Sequence, residues 1–206
     1  MNNIIKIAVF ASGSGTNFQQ IHKKILSGEI AGKIEVLVSN KPGCGAVNYA
    51  KGQGIKCTLL RSQDPKDNED VLLRLFSDIN PDLIILAGYM KLVPASITRL
   101  YRHKILNIHP ALLPSFGGKG MYGIKVHQAV ISANKKVSGA TVHFVDEKYD
   151  HGPIIDFMKV NVHPNDTAES LAARVLRVEH ILYPRVVKAY CENRIIWEDD
   201  EPRVIP

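Results

Sequence analysis

Residues 4–26 read Ile-Ile-Lys-Ile-Ala-Val-Phe-Ala-Ser-Gly-Ser-Gly-Thr-Asn-Phe-Gln-Gln-Ile-His-Lys-Lys-Ile-Leu. Positions 4–11 are almost wholly apolar, the pattern of a strand covered on both faces. Positions 12–16 are small and carry two glycines, which suits a tight loop. From position 17 to 26, Phe18, Ile21, Ile25 and Leu26 recur at helical spacing. A strand, a loop and a helix in that order form a β-loop-α unit, and its repetition is the mark of an α/β fold.

The pattern repeats down the chain. Residues 34–39, 57–60, 83–87 and 105–109 read as further strands, and 46–52, 94–101 and 125–132 as helices. The polar run 61–68 reads as a loop before a helix over 69–79, with Val71, Leu72, Leu75, Phe76 and Ile79 at helical spacing. The run 83–87 is continuously apolar and belongs at the centre of the sheet. Residues 138–145 and 153–162 are joined by a loop short enough for a hairpin, so the sheet is expected to be mostly parallel but mixed. In the strand 138–145, Thr141 and His143 share one face with Val145. A long helix is expected from Asp166 or Thr167 as cap to about Cys191, burying Leu171, Val175, Leu176, Ile181, Leu182 and Val186, with Pro184 as a kink or break. The tail after Trp197 reads as a surface extension. We expect one domain over 1–206.

The composition is that of an ordinary soluble globular protein, with 45% hydrophobic and 22% charged residues. The net charge of +6 comes from Lys and Arg spread along the chain, not clustered with aromatic residues, so no nucleic-acid partner is expected. Three widely spaced cysteines without a Cys-x-x-Cys motif argue against a disulfide framework and a zinc site, and the histidines lack metal-ligand spacing. No metal is expected. No apolar stretch is long enough to span a membrane, and cytoplasm is the expected location.

Two stretches bear chemistry. Ile-Leu-Asn-Ile-His-Pro-Ala-Leu-Leu-Pro-Ser at 105–115 places Asn107 and His109 two residues apart on a strand, hence on one face, at a strand end stopped by Pro110. An amide and an imidazolium side by side are two donors suited to an oxyanion. Asp150, in an acidic turn, is the carboxylate that would pair with His109, hold it protonated and raise its pKa. No nucleophile elbow is present, which favours direct transfer between two bound substrates. The loop 12–17 lies where main-chain N–H groups and a helix start hold phosphate, although it is neither a dinucleotide fingerprint nor a Walker loop. Residues 90–93 leave the carboxyl end of the central strand and are candidates for a pocket wall. The long loop 110–124 holds Gly117, Gly118, Gly120 and Gly123.

Asn-Ile-His-Pro-Ala-Leu-Leu-Pro at 107–114, Leu-Ala-Gly-Tyr-Met at 86–90 and Asp-His-Gly-Pro-Ile at 150–154 together resemble the folate-dependent formyltransferases. The 12–17 loop, Glu179-His180 and the chain length narrow the resemblance to the branch acting on 5-phosphoribosylglycinamide in purine synthesis. The resemblance implies a Rossmann-like formyltransferase fold and transfer of a formyl group from 10-formyltetrahydrofolate to that amine. It implies Asn107, His109 and Asp150 as the catalytic trio. Gly15, Thr16 and Asn17 would hold the ribose phosphate, and Glu179 would lie near the glycinamide amine. Met90, Lys91, Leu92 and Val93 would line the folate site together with Asn107, and the main chain of 147–150 would border the pterin. Family members often carry an Arg before the helix at Glu69; here Lys66 is the candidate substitute near the folate tail. The glycine-rich segment 117–123 is longer than in short family members. The alternatives are a formyltetrahydrofolate hydrolase or transfer to another amine. Either a monomer or a homodimer fits.

Overall fold

The computed structural model describes residues 4–206. Seven strands follow the order β3-β2-β1-β4-β5-β6-β7, and a separate two-stranded sheet pairs β8 with β9. The chain divides into two compact units, Met1–Leu106 and Asn107–Pro206.

In the first unit β1 (Ile5–Phe10) pairs in parallel with β2 (Gly32–Ser39) on one side and with β4 (Leu83–Leu86) on the other. β3 (Cys57–Leu59) adds in parallel to β2. All four residues of β4 are buried, as its unbroken apolar run requires. Helix α1 (Thr16–Leu26) buries Asn17, Phe18, Ile21 and His22. Leu26, expected on that face, is 66% exposed, because a helix of this phase carries it round to solvent. Helix α2 spans Gly45–Gly52 and α4 Ala95–Leu100. Helix α3 (Pro65–Ile79) begins inside the polar run read as a loop. Asp64 caps it by accepting the Lys66 N–H at 2.8 Å, and Pro65 fits the first turn, where no N–H is needed. Its buried face is Leu72, Leu75 and Phe76, while Val71 is exposed.

In the second unit β5 (Ile105–His109, whose first two residues close the first unit) is followed by α5 (Ile124–Ser132) and by β6 (Val137–Phe144), which pairs antiparallel with β7 (Ile154–Asn161). The sheet is therefore mixed. Helix α6 (Ala168–Cys191) is continuous through Pro184, which is buried, and Ile181 faces outward at 56% exposure. Thr167 is its cap: its side chain accepts the Ser170 N–H while the Ser170 hydroxyl accepts the Thr167 N–H. Thr167→Ala is expected to cost about 1 kcal/mol, read from the urea unfolding midpoint at unchanged m-value.

The tail is not an extension. β8 (Ile195–Glu198) and β9 (Glu201–Val204) form a hairpin whose turn residues Asp199 and Asp200 stand at φ 50 and 62, the left-handed backbone that two-residue turns demand. Trp197 stacks on Phe144 at 5.3 Å between ring centroids.

Candidate active site

The 12–17 loop lies in the first unit. Gly15 stands at φ 73, and a Cβ there would meet the Ala46 Cβ at 2.7 Å, so glycine is required both by conformation and by the close approach of α2. The Ser12 hydroxyl donates to Asn40 Oδ1 at 2.6 Å and accepts the Met90 N–H at 3.2 Å, which ties the loop to the strand ends beside it. The Ala46 N–H donates to the Gly13 carbonyl at 3.1 Å. No side chain caps the first turn of α1 and no acidic residue lies in it, so the positive helix end carries no built-in anion. Thr16 and Asn17 open that helix. In the segment after β4, Met90, Lys91 and Leu92 are exposed, whereas Val93 is 2% exposed and belongs to the core. Lys66 is exposed in the first turn of α3.

The second unit brings Asn107, His109 and Asp150 together. Strand alternation on β5 sets the first two on one face. Asp150 stands at φ 54, a left-handed position that Asp tolerates better than most residues, and this turns its carboxylate back on them. One oxygen accepts from Asn107 Nδ2 at 3.3 Å, and the other lies 3.4 Å from His109 Nδ1 and accepts the Gly118 N–H at 2.9 Å. The carboxylate decides the orientation of the Asn107 amide, because the flipped amide would oppose two oxygens.

His143 joins the cluster. Its Nε2 lies 3.0 Å from Asn107 Nδ2 and 3.7 Å from Asp150 Oδ1, and its Nδ1 donates to the Phe144 carbonyl at 2.7 Å. The contact at Nε2 holds the Asn107 amide in place. A register shift between Val142 and His143 aims the ring, and Gly152 makes room, since a Cβ there would meet the Phe144 carbonyl oxygen at 2.0 Å. Thr141, on the same face of β6, donates to the Ala111 carbonyl at 2.7 Å and accepts the Leu113 N–H at 3.1 Å, pinning the chain that follows His109. Alternation had put Thr141 and His143 on one face, but nothing local says that this face meets Asn107.

His109 is 3% exposed. Burial lowers its pKa, the charge of Asp150 and the Phe116 carbonyl offset part of this, and the net direction is down. The expectation of a raised pKa is thereby corrected: desolvation of a ring this deep outweighs one carboxylate at 3.4 Å. Nε2–H donates to the Phe116 carbonyl at 2.8 Å, so the proton that comes and goes is the one on Nδ1, facing Asp150. Burial alone would raise the Asp150 carboxyl, but the side chain of His143, the charge of His109 and the Gly118 N–H outweigh it and leave it below the ordinary carboxylate value. Asp150 also lines a cavity of about 870 Å³ with Pro114, Gly118, Tyr149, Phe157 and Pro202, the last from the β8–β9 hairpin. That volume is in the range of small-molecule sites. Glu179 is buried in α6. Among the described residues no group of His, Cys, Asp and Glu is arranged to hold a metal ion, and no helix is long and apolar enough to cross a membrane.

A mixed α/β sheet with a buried imidazole beside a half-buried amide and carboxylate agrees with the comparison to known families: the formyl transferase model matches residues 5–187, and the chain belongs to that family. Within it, the chain is similar to phosphoribosylglycinamide formyltransferases. That of Haemophilus influenzae is 38% identical, over 95% of this chain and 91% of its own length. The chloroplastic enzyme of Vigna unguiculata is 48% identical over 95% of this chain, which spans 64% of that relative's length. The crystal structure of glycinamide ribonucleotide transformylase 1 from Symbiobacterium toebii is 33% identical, with a TM-score of 0.90 over 98% of this chain and 95% of that one.

Proposed function

We propose that this chain transfers the formyl group of 10-formyltetrahydrofolate to the amine of 5-phosphoribosylglycinamide, as one formyltransferase domain over 1–206 acting in the cytoplasm. The observation that carries this reading is the Asp150 carboxylate shared between Asn107 and His109, 3.3 and 3.4 Å away.

The neutral amine attacks the formyl carbon. The carbonyl oxygen becomes an oxyanion, met by His109 Nε2–H and by the Asn107 amide, which gives up its longer bond, the one to Asp150, to donate to it. Because burial keeps the resting imidazole's pKa low, the growing negative charge is what draws a proton from solvent onto Nδ1, against Asp150, and that proton returns to solvent as the oxyanion collapses. The stabilisation is then strongest in the transition state, where it accelerates the reaction. The C–N10 bond breaks as a proton passes from the amine to the folate nitrogen, through a water ordered by Asp150.

In this reading Gly15, Thr16 and Asn17 hold the phosphate of the acceptor, and Glu179 lies near its amine. In the first unit Met90, Lys91 and Leu92 are the folate-binding residues, with Lys66 toward the folate tail, and in the second unit Asn107 is; Val93 supports the segment from the core. The uncapped start of α1 supports the phosphate assignment. Gly15→Ala would strain a left-handed backbone, by about 1–2 kcal/mol, and push on α2. Steady-state kinetics should show the KM for the phosphorylated acceptor raised about tenfold or more, with that for the folate little changed.

A further inference from the structure

His109 Nε2–H, the donor assigned above to the formyl oxygen, is already engaged: the Phe116 main-chain carbonyl accepts it at 2.8 Å. Phe116 reaches this position at φ 58, a left-handed backbone that residues with a Cβ rarely adopt. Resting on the role given to His109, we propose that the Phe116 carbonyl is the resting occupant of the oxyanion position. It holds Nε2–H in the free protein and gives way to the formyl oxygen during turnover, which makes Phe116 a positioning residue for His109.

The surroundings suit such an exchange. The Gly118 N–H is anchored on Asp150 Oδ2 at 2.9 Å, so the far end of the segment stays on the carboxylate. Gly117 lies between, and a Cβ there would stand 2.5 Å from Leu113 Cδ2 and 3.1 Å from the Asp150 Cβ, so the chain passes directly over the site. Gly117 and Gly118, the latter at φ 97, let the 116–117 peptide rotate without dragging its anchor. One acceptor replaces another, so the buried donor is never left unpaired. Asp150, His143 and His127 are the ionisable groups whose charges couple to His109.

Two variants move this equilibrium in opposite directions. Phe116→Gly removes the cost of the left-handed backbone and strengthens the resting bond, so kcat/KM should fall about five- to tenfold. Phe116→Val, β-branched, disfavours that backbone and should leave kcat/KM at or above the parent value. The spectroscopic readout is the solvent-protected Nε2–H resonance of His109 in ¹⁵N-histidine-labelled full-length protein. It should be present in the free parent and in Phe116→Gly, weakened in Phe116→Val, and shifted when a non-transferable 10-formyl-folate analogue saturates the parent. An absent resonance in the free parent, an unmoved one with the analogue, or an equal fall of kcat/KM in both variants would overturn the proposal. The formyl-transfer reading fails separately, if His109→Ala keeps its turnover.

Discussion

His109→Ala is expected to lower kcat by about 10²–10³, with both KM values within a few-fold of the parent, because an oxyanion donor acts on the transition state more than on bound substrate. In the proposed mechanism the imidazole is both the Nε2–H donor and the group that becomes cationic as the oxyanion forms. Its burial magnifies the effect, since a charge interaction at 3% exposure is weakly screened. Single-turnover kinetics under saturating substrates measure the chemical step directly. A loss confined to KM would mean that His109 binds substrate without stabilising the oxyanion.

Asp150→Asn should cost about 10²-fold in kcat and move the pH profile as well. Asp150 raises the His109 pKa against the larger, lowering influence of burial. Activity that needs the His109 cation declines as pH rises through that pKa. Removing the carboxylate charge removes a raising influence, so the alkaline limb of kcat/KM should move to lower pH. The same limb unmoved, or moved to higher pH, would detach the charge of His109 from Asp150.

The fold was legible where periodicity was strong. The 4–26 unit, the fully apolar run of β4 and the β6–β7 hairpin all follow from residue spacing. Two features were hidden. The Asp64-Pro65 start of α3 sat inside a polar run that reads equally well as a loop, and the β8–β9 turn is made by Asp199-Asp200, without the glycine that usually signals such a turn. In the site, alternation put Asn107 beside His109, and the loop residue Asp150 was the carboxylate available to them. The part played by His143 depends on which strand face meets which, a tertiary property with no local signal. The low pKa of His109 likewise depends on burial, and the Phe116 carbonyl belongs to the main chain, which leaves no mark on side-chain patterns.

The most direct test of the central claim is to mix the purified protein with 10-formyltetrahydrofolate and follow loss of the formyl-folate with and without 5-phosphoribosylglycinamide. The account predicts deformylation that depends on the acceptor and yields one formylated glycinamide per folate consumed. Loss of formyl-folate at the same rate without the acceptor would contradict it and make water the acceptor.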